Sequence, residues 1–213
     1  MLRRSYYRRF GLAAAGVIAL GSLAAAVVYR GTAGERYSPL NHAVSELGQV
    51  GVSAWALAFN AGLVLGGALL MVYLLGAGAH QGPPVGYLAG AAGAVAAVFC
   101  ALVGVFPMNL MSAHTWAAGW FFRSGMLAMA LFSLAVALDK RRRVPRWFAL
   151  PGLLAVLAAG LLLIKPLAAR RSQAMAEILS HGRPSVLWPA LAEWLVVAGG
   201  LGWVVLAARI KEP

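Results

Sequence analysis

Six apolar runs dominate the sequence, at about 10–29, 53–76, 85–106, 113–138, 147–164 and 186–208. A run of roughly 20 residues at about 1.5 Å per residue crosses a hydrocarbon layer of about 30 Å. Inside such a layer every backbone polar group has to be satisfied within its own segment, so each run is read as a helix. The expected fold is all-α: a six-transmembrane-helix bundle forming a single integral membrane domain over residues 1–213. Composition agrees, because 62% hydrophobic and 11% charged residues lie far from the charged fraction of about a quarter found in soluble domains. The basic start and apolar core of the first run also fit a signal peptide with Ala24-Ala25-Ala26 as its cleavage site, but a run that long favours an uncleaved span.

The formal charge of +12 is a topology signal, not a nucleic-acid footprint, because the basic residues gather at the ends of the apolar runs. Arg3, Arg4, Arg8, Arg9, Lys140, Arg141, Arg142, Arg143, Arg146, Arg209 and Lys211 fall on one side of the predicted layout. Arg30, Arg36, Lys165, Arg170, Arg171 and Arg183 fall on the other. The positive-inside rule then makes both termini cytoplasmic in a multi-pass protein of the cell's inner membrane. The single Cys100 allows no intrachain disulfide, no Cys/His pair has zinc spacing, and no phosphate-binding Gly-Lys-Ser/Thr loop occurs. Gly62 and Gly66, and Gly86, Gly90 and Gly93, form small-residue seams suited to close helix contact. The Gly78 to Pro84 stretch is read as a turn, and Ser112 as the cap of the fourth helix.

One polar island interrupts this pattern: Tyr37-Ser38-Pro39-Leu40-Asn41-His42-Ala43-Val44-Ser45-Glu46-Leu47-Gly48-Gln49. With Ser38 as N-cap and Pro39 in the first turn, the spacing predicts a short amphipathic helix on the outer face. His42, Ser45, Glu46 and Gln49 then share one stripe, and Leu40, Val44 and Leu47 face the other way. His42, Ser45 and Glu46, with His114 entering from the fourth helix, supply the parts of a general base, its orienting carboxylate and a hydroxyl nucleophile. They are the candidate catalytic set. The same residues arise in any solvated amphipathic segment. Metal binding by His42, Glu46 and His114 lacks a supported third ligand, so no metal is expected, and the residues name no cofactor.

Three polar residues fall inside the spans. Asn60, Glu193 and Arg123 lie roughly 10, 10 and 14 Å deep by helix rise. A charge at such depth costs at least ~2.5 kcal/mol unless partnered, so an Arg123–Glu193 ion pair is expected, either as an internal strut or as a seat for an anionic headgroup. Asn60, Asn109, Arg123 and Glu193 are the candidate ligand-binding residues. His114 and Arg123, nine residues apart, point to opposite sides of one regular helix. Trp55, Trp116, Trp147, Trp188 and Trp194 fall at predicted interfaces. His181 and a short surface helix over Ala174 to Leu179 belong to the longest polar segment, Lys165 to Ser185.

The island, together with Val105-Phe106-Pro107 through His114-Thr115, resembles an uncharacterised prokaryotic membrane family, domain of unknown function 998. Motif order and spacing match over Ser38 to Leu138, and the six-run layout agrees over the whole length. In that family the position of Asn109 often carries an acid, so the amide here weakens any mechanism needing a second carboxylate. The family name implies no reaction. A more distant likeness to eukaryotic six-helix families of lipid remodelling and lipid-anchor processing is one of fold alone.

The leading functional expectation is an outward-facing polar pocket that recognises or modifies a lipid or other amphiphile. The alternative is a non-catalytic subunit or assembly component of a larger membrane complex, with other membrane subunits as partners. A transporter ranks third, because the runs show no clear inverted repeat.

Overall fold

The computed structural model of the chain describes residues 4–140, 144–163 and 182–209. Among the described residues six α-helices follow in order: α1 (Arg4–Val28), α2 (Ala56–Gln81), α3 (Val85–Val105), α4 (Met111–Leu138), α5 (Ala149–Leu163) and α6 (Trp188–Arg209). All but α5 are long and apolar enough to cross a membrane. The described part of α5 has 15 residues, so five candidate spans stand where six were expected. Among the described residues there is no strand, only an isolated bridge between Arg30 and Arg36. The expected helix over Ala174 to Leu179 and His181 lie outside the described residues, as do Arg141 to Arg143.

Each described helix packs on the next described one, and α6 also packs against α1. The links between α2 and α3, α3 and α4, and α4 and α5 are short enough to make those pairs antiparallel neighbours. Small residues bring the backbones together. A Cβ on Gly78 would stand 2.5 Å from the carbonyl oxygen of Gly86 and 2.6 Å from the Cα of Gly90, so α2 and α3 cross there only because all three lack side chains. Gly78 is therefore helical, contrary to its reading as a turn residue. The chain reverses at Gly82, whose φ of +85° suits glycine. At the start of α4 a 3-10 turn, Met108–Leu110, precedes Met111, which puts Ser112 inside the helix and not at its cap.

The two ends of the bundle are closed differently. At the end where α1 begins and α6 finishes, here called the terminal end, Tyr7, Tyr73, Phe132, Phe148 and Trp203 form a buried apolar cluster. The Trp203 ring lies 5.1 Å from Phe132 and 5.6 Å from Phe148. A cavity of about 40 Å³ sits among these rings. At the opposite end the connector from Tyr29 to Trp55 covers Phe59, Leu63 and Cys100 with its own Tyr29, Val44 and Leu47.

That connector corrects the expected amphipathic helix. Residues 39–42 form a turn, with the His42 N–H donating to the Ser38 carbonyl at 2.9 Å. A five-residue 3-10 helix, Val44–Gly48, follows. The Ser38 hydroxyl caps the turn by accepting from the Leu40 N–H at 3.3 Å. The i, i+3, i+4 stripe therefore does not form. The physical reason is tertiary: His42, Val44, Glu46 and Leu47 are all buried, a set no one-sided α-helical stripe could deliver.

Candidate functional site

The connector end is built by side chains from three directions that bind the connector's backbone. The Tyr37 hydroxyl donates to the carbonyls of His42 (3.3 Å) and Ala43 (3.0 Å) and accepts from the Trp194 indole N–H at 2.8 Å. The Asn41 amide donates to the Pro184 carbonyl at 2.8 Å, and the Leu187 N–H to the Leu40 carbonyl at 2.8 Å. From α6, Glu193 accepts the Val44 N–H at 3.2 Å. From α2, Asn60 donates to the Gly48 carbonyl at 2.9 Å. Asn109 both accepts from the Val50 N–H and donates to the Val50 carbonyl, each at 2.9 Å. Three of the four residues expected to bind ligand thus hold the connector, whose irregular backbone inside a bundle requires such partners.

At the centre of this scaffold lies a charged cluster. Both oxygens of the buried Glu46 meet Arg183, Oε1 at 3.2 Å from Nη1 and Oε2 at 2.9 Å from Nη2. The same carboxylate accepts the Ala43 N–H at 2.8 Å and the Tyr29 hydroxyl at 3.3 Å. Such a two-pronged pair is among the stronger charge-assisted contacts a protein makes. Arg183 also donates to the Asn41 carbonyl at 2.8 Å and lies 3.7 Å from Glu35 Oε1. Tyr29 meets Tyr37 and His42 edge-on and the Tyr37 and His42 rings are tilted to each other, with ring centres 5.1 to 5.4 Å apart.

His42 is only 1% exposed. Its Nδ1 lies 2.8 Å from Asn41 Oδ1 and 3.2 Å from the Ser38 N–H. The first contact calls for a proton on Nδ1 and the second for a lone pair. Asn41 is oriented by its bond to Pro184, so its oxygen faces the ring, and the shorter contact assigns the proton to Nδ1. Nε2 is then the basic nitrogen. It is buried without a hydrogen-bond partner, 3.8 Å from Glu35 Oε1.

Burial, outweighing the attraction of Glu46, holds the His42 imidazole below its ordinary range, and the positive charge of Arg183 pushes the same way. Its resting form is neutral. Glu35 is partly exposed, and burial tends to raise its carboxyl. The N–H bonds from its own backbone and from Ala33, with Arg183 adding to them, bring it below the ordinary value. Burial and the surrounding carboxylates push the Tyr29 and Tyr37 hydroxyls up, so both are neutral donors.

The other expected site residues are dispersed. Ser45 is half-buried, and its hydroxyl bonds neither His42 nor Glu46. The His114 Nδ1–H donates to the Phe106 carbonyl at 2.8 Å, tying α4 to the end of α3. Arg123 is exposed on α4, folded back toward Gly119, and makes no ion pair among the described residues. The Arg123–Glu193 pair is therefore absent. Glu193 faces the bundle interior and Arg123 faces outward.

Arg183, Glu35, Tyr29 and Trp194 belong to the cluster yet were not singled out from the sequence. The sequence placed Glu46 on a polar stripe, and only its burial in the fold demands a cation. The predicted layout puts Arg30, Arg36, Lys165, Arg170, Arg171 and Arg183 on that side, with nothing local to choose among them. Among the described residues no group of three or more His, Cys, Asp or Glu side chains is placed to hold a metal ion.

The family model described as "Protein of unknown function (DUF998)" matches residues 14–210. No curated protein and no solved structure matches the chain.

Proposed function

The chain belongs to that DUF998 family, whose description names no reaction, and we propose from its geometry that the connector-end cluster recognises the polar head of a membrane amphiphile. One observation carries this reading: His42 Nε2 is buried without a hydrogen-bond partner and faces Glu35 Oε1 at 3.8 Å. The two atoms are too far apart for a direct hydrogen bond, so a small polar group from outside that bridges them completes the arrangement. The bridging point lies between an imidazole nitrogen and the Glu35 carboxylate, so the group that fits there is a hydroxyl or an ammonium. A neutral imidazole held by Asn41 is also suited to take a proton from a bound hydroxyl or water. Ser45 is not placed to act as the nucleophile it was expected to be. If the site is catalytic, the attacking oxygen belongs to the bound molecule or to water.

The test is native mass spectrometry of the full chain released from lipid nanodiscs. Retained lipid should fall in His42→Ala and Glu35→Gln and persist in Ser45→Ala. Equal retention in all four proteins would discard the reading. A second reading, a non-catalytic component of a larger membrane complex, draws on Glu46, whose two oxygens are both engaged in holding the connector. Cross-linking in intact membranes that joins the connector to another chain would favour it. In the orientation we propose, the terminal end is cytoplasmic and the cluster faces outward from the inner membrane, because Arg8, Arg9, Lys140, Arg146 and Arg209 collect at the terminal end.

A further inference from the structure

The lipid-facing surface of α4 carries a feature that the connector cluster does not explain. Trp116, Trp120, Arg123 and Leu127 are all exposed and stand at i, i+4, i+7 and i+11, one continuous stripe. Phe99 of α3 flanks it, 5.2 Å from Trp116 and stacked at 5.9 Å on Trp120. Arg123 is a guanidinium in the middle of a candidate span, Met108–Leu138, without an ion pair or hydrogen bond among the described residues. Its Nη1 folds back toward the start of the helix, to 2.8 Å from where a Cβ of Gly119 would stand. Glycine at that position gives the side chain its channel.

Depth decides what can meet it. From Leu138 to Gly119 the helix rises about 28 Å, close to the hydrocarbon thickness of about 30 Å. The guanidinium therefore emerges near the ester and phosphate level of the connector-side leaflet, where exposed Trp116 and Trp120 also prefer to sit. A carboxylate on another membrane helix would be best satisfied deeper, at the level of the Arg123 backbone. The backward fold of the side chain points away from that level.

We propose that Arg123, Gly119, Trp116 and Trp120 form a lateral binding site for the phosphodiester of an anionic phospholipid in the connector-side leaflet. The guanidinium holds two phosphate oxygens at once, and the indoles bracket the glycerol region. The site lies on the outside of the bundle and does not depend on the reading of the connector cluster.

The test is native mass spectrometry of the full chain in detergent, titrated with dioleoylphosphatidylglycerol and, separately, dioleoylphosphatidylcholine. Affinity for the first phosphatidylglycerol should fall about fivefold in Arg123→Gln. It should fall by less in Arg123→Lys, which keeps the charge but loses the fork. Gly119→Ala, which displaces the guanidinium without removing it, should also weaken binding. His42→Ala should leave this binding unchanged, which separates the site from the connector cluster. Equal phosphatidylglycerol affinity in the parent and Arg123→Gln would overturn the proposal. So would a parent protein that purifies bound to another chain released by Arg123→Gln, because a protein carboxylate would then be the occupant. A thermal melt of Arg123→Gln matching the parent would tie any lost binding to the guanidinium; a lowered melt with phosphatidylglycerol affinity retained in Gly119→Ala would also overturn the site.

Discussion

The two ends of this bundle are closed by opposite means. The terminal end is shut by close backbone contact and by Tyr7, Tyr73, Phe132, Phe148 and Trp203, with short links between helices. The connector end is shut by residues 29–55, which hydrogen bond to α2, to α6 and to the segment before α6. Apolar packing is tolerant of detail and broken mainly by volume. A hydrogen-bonded irregular loop depends on each partner, because a buried polar group left alone is costly. The buried polar side chains accordingly gather where irregular backbone needs partners. The other end has only to be tight.

The largest effect is expected at the tight end. Gly78→Val should cost about 3 kcal/mol, since its side chain meets the backbone of Gly86 and Gly90 with nothing flexible to move. Chemical unfolding in detergent would read it, and an unchanged midpoint would show that the α2–α3 seam is not close-packed. At the polar end, Glu46→Leu should cost about 2 to 3 kcal/mol, less than for a fully buried pair because the Arg183 side chain keeps 20% exposure. Combining it with Arg183→Met should recover a large part of that loss. If the double variant were no better than the single, the carboxylate's bonds to Ala43 and Tyr29 would outweigh the ion pair.

The same end should respond to pH. His42 is held below its ordinary range when folded, so the unfolded chain takes up its proton first as pH falls. The stability this group contributes is complete above about 6.5 and declines as pH drops through that value toward the folded pKa. The decline should vanish in His42→Gln. Glu35, also held low, acts only in a more acid window, below its ordinary 4.5, so the two effects separate on the pH axis. Asn109→Ala removes two exposed hydrogen bonds to Val50 and should cost about 1 kcal/mol, seen as faster amide exchange at residues 49–52. Ser45→Ala should change stability by no more than about 0.5 kcal/mol.

Much of the bundle is legible in the residues themselves. The apolar runs set the helices, because a bilayer accepts little else. The Gly62/Gly66 and Gly86/Gly90 spacings marked faces that meet α1 and α2. The island was also legible as a concentration of polar residues, and the fold buries His42 and Glu46 in one region of it. Its conformation was not legible. Ser38-Pro39 is a sound helix start locally, but the bonds from Tyr37, Asn41, Asn60 and Glu193 reward a turn and a 3-10 helix instead. Depth misled for Arg123 and Glu193: residues at similar predicted depth on two helices need not face each other, and rotation about each axis is set by packing.

The sequence by itself determined a multi-pass, all-helical membrane protein of a family it already resembled, and it marked the segment where polar side chains concentrate. Those follow from local facts: run length, residue size and the cost of polar groups in hydrocarbon. Only the tertiary structure decided that Arg183, more than a hundred residues away, is the partner of Glu46, that Glu35 faces His42, and that Arg123 looks outward. Pairing between distant charges carries no periodic signature. It is fixed by which helix faces turn inward once every backbone group of the connector has found a partner.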